Sequence, residues 1–173
     1  MSAAFLTRTY VLVVLLVFLA LAVGTYATAE QAYLTTTPAA ANQTQQQINT
    51  IRQSATPESI FENNFLVSIP AIVPAAGLFF FGLTWFNTGQ SIGQLAYYTG
   101  IPPSVYVLGV YIPVGTVESL AYSVIIAETL FLTYALIKGT IVARLKSETW
   151  KSLILYVVLL AVAATVEALL IKG

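Results

Sequence analysis

The sequence contains no cysteine, no histidine and no aspartate, and its one methionine is Met1. Without Cys or His there is no disulfide, no zinc box, no iron–sulfur cluster and no thiolate nucleophile. Haem held by Cys, His or Met of this chain is excluded as well, which leaves only a tyrosine ligand formally open. A catalytic triad built on imidazole cannot exist. Charge is scarce too: charged residues make up 8% of the chain, against about 25% in a typical soluble domain. Seven basic and seven acidic residues cancel, so no bulk field draws the chain to nucleic acid or acidic lipid.

What remains is apolar. Of 173 residues, 58% are hydrophobic, and the mean hydropathy is +0.83. So few charges cannot cover the outside of a soluble globule of this size. The composition implies an all-α integral membrane protein and excludes a soluble enzyme, a nucleic-acid reader and a disordered chain.

Apolar blocks and polar stretches divide the chain into three parts: an N-terminal transmembrane anchor over 1–29, a polar extracytoplasmic loop over 30–62, and a membrane helical domain over 63–173. Residues 10–29 suffice to cross a hydrocarbon core of about 30 Å. Ala27-Thr28-Ala29 has the small residues of a signal-peptidase site, but the expectation is an uncleaved anchor. Ala20, Gly24 and Thr28 recur every four residues and offer a close helix–helix face. The 30–62 stretch is rich in Thr, Gln and Asn. Asn42-Gln43-Thr44 is a formal glycosylation acceptor, a short helix is plausible over 45–54, and Thr56-Pro57-Glu58 is a good helix start. The second block, 65–86, carries Pro70 and Pro74, which predict a kink or local unwinding. A short interfacial helix or turn is expected over 87–100. The third block, 103–137, is too long for one straight crossing and slightly short for two. The last span covers 152–171.

Basic residues orient these blocks. Lys138, Arg144, Lys146 and Lys151 mark 138–151 as a cytoplasmic loop, and Arg8 places the N-terminus on the same side. If 65–86 returns to the cytoplasm, 103–137 must cross an even number of times or re-enter. The expectation is a polytopic transmembrane helical bundle in the plasma membrane with about five membrane segments, one of them short or broken at Pro113–Gly115.

Three carboxylates fall inside apolar blocks: Glu118, Glu128 and Glu167. A charge at mid-bilayer costs at least about 2.5–3.5 kcal/mol, so each must face a protein interior, a water-filled cavity or a partner. Glu118 follows the break expected at Pro113 and Gly115. There it either caps the new helix or forms a proton or cation site at a discontinuous helix. Tyr122 lies one turn on, on the same face. Glu128 either pairs with Lys138 or Arg144 or faces a site of its own, and Glu167 reaches toward the interface. Asn63, Asn64 and Asn87, with Ser68 and Thr88, either cap backbone freed near the prolines or line a hydrophilic groove. Most of the tyrosines read as interfacial anchors. No phosphate loop, metal box or activated nucleophile is present, so an enzyme is not expected and no cofactor is implied.

The arrangement Phe61-x-Asn63-Asn64, Asn87-x-Gly89 with Gly93, and Pro113-x-Gly115-x-x-Glu118-x-x-Ala121 resembles the stage II sporulation protein M (SpoIIM) family of integral membrane proteins, archaeal members included. The likeness covers roughly residues 57–171. Where the family usually carries His before the Gly, this chain has Val114, so no role that needs that imidazole carries over. The resemblance implies a membrane scaffold or assembly subunit whose partners are the bilayer and other membrane proteins or itself, with no nucleic acid and no catalytic residue. The residues themselves leave two other readings: a small transporter or channel subunit that uses intramembrane glutamates, and an accessory subunit of a membrane oxidoreductase.

Overall fold

The structure, a computed structural model, describes residues 6–172, the side chains at 110, 111, 114 and 172 excepted. The Val114 side chain therefore lies outside the described residues, as does that of Lys172. All regular structure among the described residues is helical. Helix α1 is Arg8–Thr35, α2 Pro38–Ser54, α3 Pro57–Ser68 and α4 Ala76–Thr99. They are followed by α5 Pro103–Tyr106, α6 Ile112–Ile137, α7 Ile141–Arg144 and α8 Trp150–Lys172. Three stretches are long and apolar enough to cross a membrane: Arg8–Thr35, Gly115–Ile137 and Ile141–Ile171. Helix α4 has 24 residues but carries Asn87, Thr88, Gln90, Ser91 and Gln94 in its second half.

Local chemistry sets the boundaries. The Thr7 hydroxyl caps α1 by accepting from the Tyr10 amide. Thr37 caps α2, with Pro38 at the first helical position, where its missing donor costs nothing. The helix start read at Thr56-Pro57-Glu58 is present: Thr56 and Ser59 form a reciprocal capping box, and Glu58 sits in the first turn. The 30–62 stretch is thus mostly helical, rather than a solvated loop. Gly100 ends α4 in the left-handed region at φ 69°.

Pro70 and Pro74 do unwind the second block. After Ser68 the chain tightens into a 3₁₀ turn over Ile69–Ile72, and it reverses before α4 begins. Side chains of α6 hold this reversal. The Thr129 hydroxyl donates to the Ala71 carbonyl at 2.5 Å, and the Ala75 amide donates to the Thr133 hydroxyl at 2.9 Å. The second block is therefore a hairpin of α3 down and α4 up, not a single span.

Contacts along α4 fix its direction. The Trp85 indole donates to the Leu21 carbonyl at 3.2 Å, and the rings of Tyr33 and Tyr97 meet at 5.8 Å. The two helices run parallel, so α4 ends beside the end of α1. Stretch 87–100, expected as a short interfacial helix or turn, is helical, but as the second half of α4 and not as a separate element. Its glycines make the helix contact: a Cβ on Gly93 would lie 2.2 Å from the Ala29 carbonyl oxygen, and one on Gly89 would overlap Thr28. The small-residue face of α1 is Thr25, Thr28, Ala29 and Ala32. Ala20 is exposed, and a Cβ on Gly24 would meet nothing within 4 Å.

With α4 parallel to α1, the third block passes through the bundle once. Helix α5, a π segment over Val107–Tyr111 and α6 form one helical run over 103–137. There is no break at Pro113–Gly115. Pro113 lies in the first turn after the π segment, where wider hydrogen bonding already displaces the ladder it would interrupt. A second π segment, Leu145–Thr149, joins α7 to α8. The expected 138–151 loop shrinks to 138–140, where Gly139 takes φ 69°. Helix α6 is the central element: residues 121–129 are all buried, against α1 on one side and α8 on the other. Arg8 and the 138–140 turn lie at one end of the bundle. The α1–α2 and α4–α5 connections and the end of α8 lie at the other.

Candidate functional site

Two polar centres sit in this apolar bundle. One is closed, and Glu128 is its hub. That carboxylate is fully buried and Arg144 is 4% exposed. Arg144 donates from Nε to Oε1 at 2.9 Å and from a terminal nitrogen to Oε2 at 2.7 Å, a bidentate fork. The hydroxyls of Thr149 and Ser152 donate to the same carboxylate at 2.8 and 2.9 Å, and the Tyr10 hydroxyl donates to Ser152 at 2.9 Å. Phe131 covers the guanidinium at 4.6 Å and stacks on Tyr10. The π segment before α8 widens the turn between Arg144 and Thr149 so that both reach one carboxylate. Of the two partners expected for Glu128, Arg144 is the one used. Lys138 instead lies over the Tyr134 ring. Tyr10 and Tyr156 are buried bundle residues rather than interfacial anchors. This centre ties α1, α6 and α8 together and has no opening.

The other centre is open. Helices α3 and α4 diverge above their hairpin turn, and α6 floors the gap. The resulting cleft has a volume of about 280 Å³. Helix α3 contributes Asn63, Asn64 and Val67; α4 contributes Phe81, Thr84, Trp85, Asn87, Thr88 and Ser91; and α6 contributes Glu118 and Tyr122. Glu118 is the one charged residue in this lining. The Tyr122 hydroxyl donates to its Oε1, one helical turn away. It is the one side-chain donor to Glu118 among the described residues. Asn63 donates to Asn64 at 3.3 Å. Phe81, Trp85 and Tyr122 pack ring on ring, with centroids 5.3–5.8 Å apart.

The fold thus brings Glu118, Tyr122, Asn63, Asn64 and Asn87 to one place. Glu118 does not cap a helix. It lies near the middle of the run over 103–137, with exposed backbone donors far away. Ser68 falls outside the cleft and bonds Tyr156 at 2.5 Å in the α3–α8 seam. Glu167 is half-buried on α8; it does not line the cleft but lies within electrostatic reach of Glu118. Gly115 is buried, Pro113 is exposed, and Asn42 lies exposed on α2 away from both centres. Sequence reasoning did not single out Thr84 or Ser91, and it assigned Phe81 and Trp85 to no site. The signal was a run of hydroxyl and amide side chains at helical spacing in α4, which the reading of 87–100 as a separate short helix or turn divided. Among the described residues, no group of three or more carboxylates gathers to hold a metal ion.

Comparison with protein-family models, curated proteins and solved structures finds no match to this chain.

Proposed function

We propose that this chain is a multi-pass plasma-membrane protein that admits a proton or small cation to the cleft at Glu118, as a small transporter or channel subunit. The supporting observation is the contrast between the two acidic centres. Glu128 accepts four hydrogen bonds and is fully buried, whereas Glu118 has Tyr122 and an open cleft lined by asparagine, hydroxyl and aromatic side chains. A carboxylate kept in an apolar bundle without a countercharge is costly, and a cavity that admits a cation relieves that cost. In this reading all five passes cross the bilayer, and the short pass is α3 with its 3₁₀ turn. In the same reading the end that carries Arg8, Lys138 and Lys146 faces the cytoplasm, as the excess of basic residues there favours.

The test is flux in liposomes. Purified protein should carry protons or potassium down an imposed gradient, and Glu118→Gln should abolish it. Flux equal to that of empty vesicles across protons, sodium and potassium would overturn the reading.

A second reading, a SpoIIM-like assembly subunit, has one observation in its favour. Ala20 is exposed and a Cβ on Gly24 would meet no described residue within 4 Å, so the two offer a small-residue surface on α1, as a contact with another membrane helix requires. Crosslinking from a cysteine at position 24 in native membranes tests it. A protein that stays uncrosslinked there is no scaffold through this face.

A further inference from the structure

We propose that the ligand of the cleft is a small organic ammonium ion: a protonated primary amine on a short apolar stem. This rests on the reading that the cleft admits a cation and names the chemistry of that cation. The argument starts from where the hydroxyl hydrogens point. Thr84 donates to the Phe80 carbonyl at 3.2 Å, Thr88 to the Thr84 carbonyl at 3.2 Å, and Ser91 to the Asn87 carbonyl at 3.1 Å. Each hydroxyl that lines the cleft from α4 has committed its hydrogen to its own helix. What it can offer a ligand is a lone pair. Tyr122 has likewise given its hydrogen to Glu118. One Asn63 hydrogen goes to Asn64, so the Asn63 carbonyl oxygen stays an acceptor.

The wall is therefore rich in acceptors and carries one negative charge. A ligand that matches it must donate several hydrogen bonds, accept few and be positive. An ammonium head has three donors and no acceptor. The Asn64 and Asn87 amides add donors to the wall, but its one charge is negative and repels an anion.

The shape separates an organic cation from a metal ion. Phe81, Trp85 and Tyr122, all buried, make the deeper wall apolar. A bare metal ion leaves that wall without a partner, while an alkyl stem covers it, and aromatic rings attract a nearby ammonium. About 280 Å³ is just below the usual range for small-molecule pockets. Fewer than three carboxylates are at hand for a metal ion.

Trp85 makes the proposal testable, because Trp150 is the second of two tryptophans and is exposed far from the cleft. In detergent or nanodiscs, Trp150→Phe protein is titrated at constant ionic strength with butylammonium chloride, potassium chloride or neutral butanol. Tryptophan fluorescence and the thermal unfolding midpoint are recorded. Butylammonium should give a saturable fluorescence change and raise the midpoint, and the other two should give neither. Adding Glu118→Gln should weaken butylammonium binding by about tenfold or more, as loss of a charge-assisted bond does. Adding Thr88→Val, which removes an acceptor and no charge, should weaken it by about threefold.

An equal response to potassium overturns the organic class, an equal response to butanol reduces the cleft to an apolar pocket, and no response in either readout removes the ligand. The wild-type comparison of the three solutes decides the matter even if a cleft variant fails to fold. If proton or potassium flux still depends on Glu118 while butylammonium does not bind, this inference falls and the transport reading stands. If that flux is absent too, both fall.

Discussion

Glu128→Leu should destabilise the bundle more than any other single substitution outside its glycine contacts, and the structure sets the size. The substitution removes both acceptor oxygens from Arg144, which is 4% exposed and cannot shed its charge. Two charge-assisted bonds are lost, at 2.9 and 2.7 Å, the Ser152 hydroxyl loses its acceptor, and Thr149 keeps only the longer bond to the Arg144 carbonyl at 3.4 Å. The Phe131 ring at 4.6 Å stays and recovers part of the loss. Breaking one side of a buried pair costs about 3–5 kcal/mol, and this pair should fall inside that range. Replacing both partners, Glu128→Leu with Arg144→Met, removes the stranded charge and should return to within about 2 kcal/mol of the parent. Unfolding by denaturing detergent in mixed micelles, followed by circular dichroism, measures all three variants. If Glu128→Leu costs less than about 1 kcal/mol, or the double variant is as unstable as the single one, the closed centre does not hold the helices as described.

Gly93→Leu should separate α1 from α4 and lower stability by about 1–3 kcal/mol in the same assay, whereas Gly24→Ala, with open space above it, should be neutral or slightly stabilising. Thr129→Val keeps the shape but strands the Ala71 carbonyl at the hairpin turn; a loss of about 1–3 kcal/mol is expected. Because the chain has no cysteine, single-cysteine labelling needs no prior background removal. Cysteines at Thr99 and Asn42 should react from one side of the membrane and a cysteine at Gly139 from the other. Labelling of positions 99 and 139 from the same side would contradict the parallel course of α1 and α4.

The helical class and the candidate acids were legible because an apolar context makes every carboxylate conspicuous. The Glu118–Tyr122 pair followed from one-turn spacing alone. The path of the chain was not legible, for three physical reasons. Gly89 and Gly93 were read as part of a short interfacial helix or turn, yet between membrane helices glycine marks the closest approach. The π segments at 107–111 and 145–149 leave no mark in hydrophobic spacing, though the second aims Arg144 at Glu128. Arg144 looked like a loop charge because its partner lies on another helix. The cleft needed the hairpin: its asparagines and hydroxyls were visible singly, and only the parallel course of α4 places them opposite Glu118.

On the proposed membrane reading, the Glu128–Arg144 fork also bears on how the chain would enter the bilayer during synthesis. Helix α6 emerges from the ribosome with an acid that has no counter-ion until Arg144 follows sixteen residues later. Released alone, α6 would carry a bare charge into lipid. Held at the insertion machinery until the next helix arrives, the two leave it as a neutral couple. The bond that locks the finished bundle would thereby favour delivery of α6 together with the α7–α8 run.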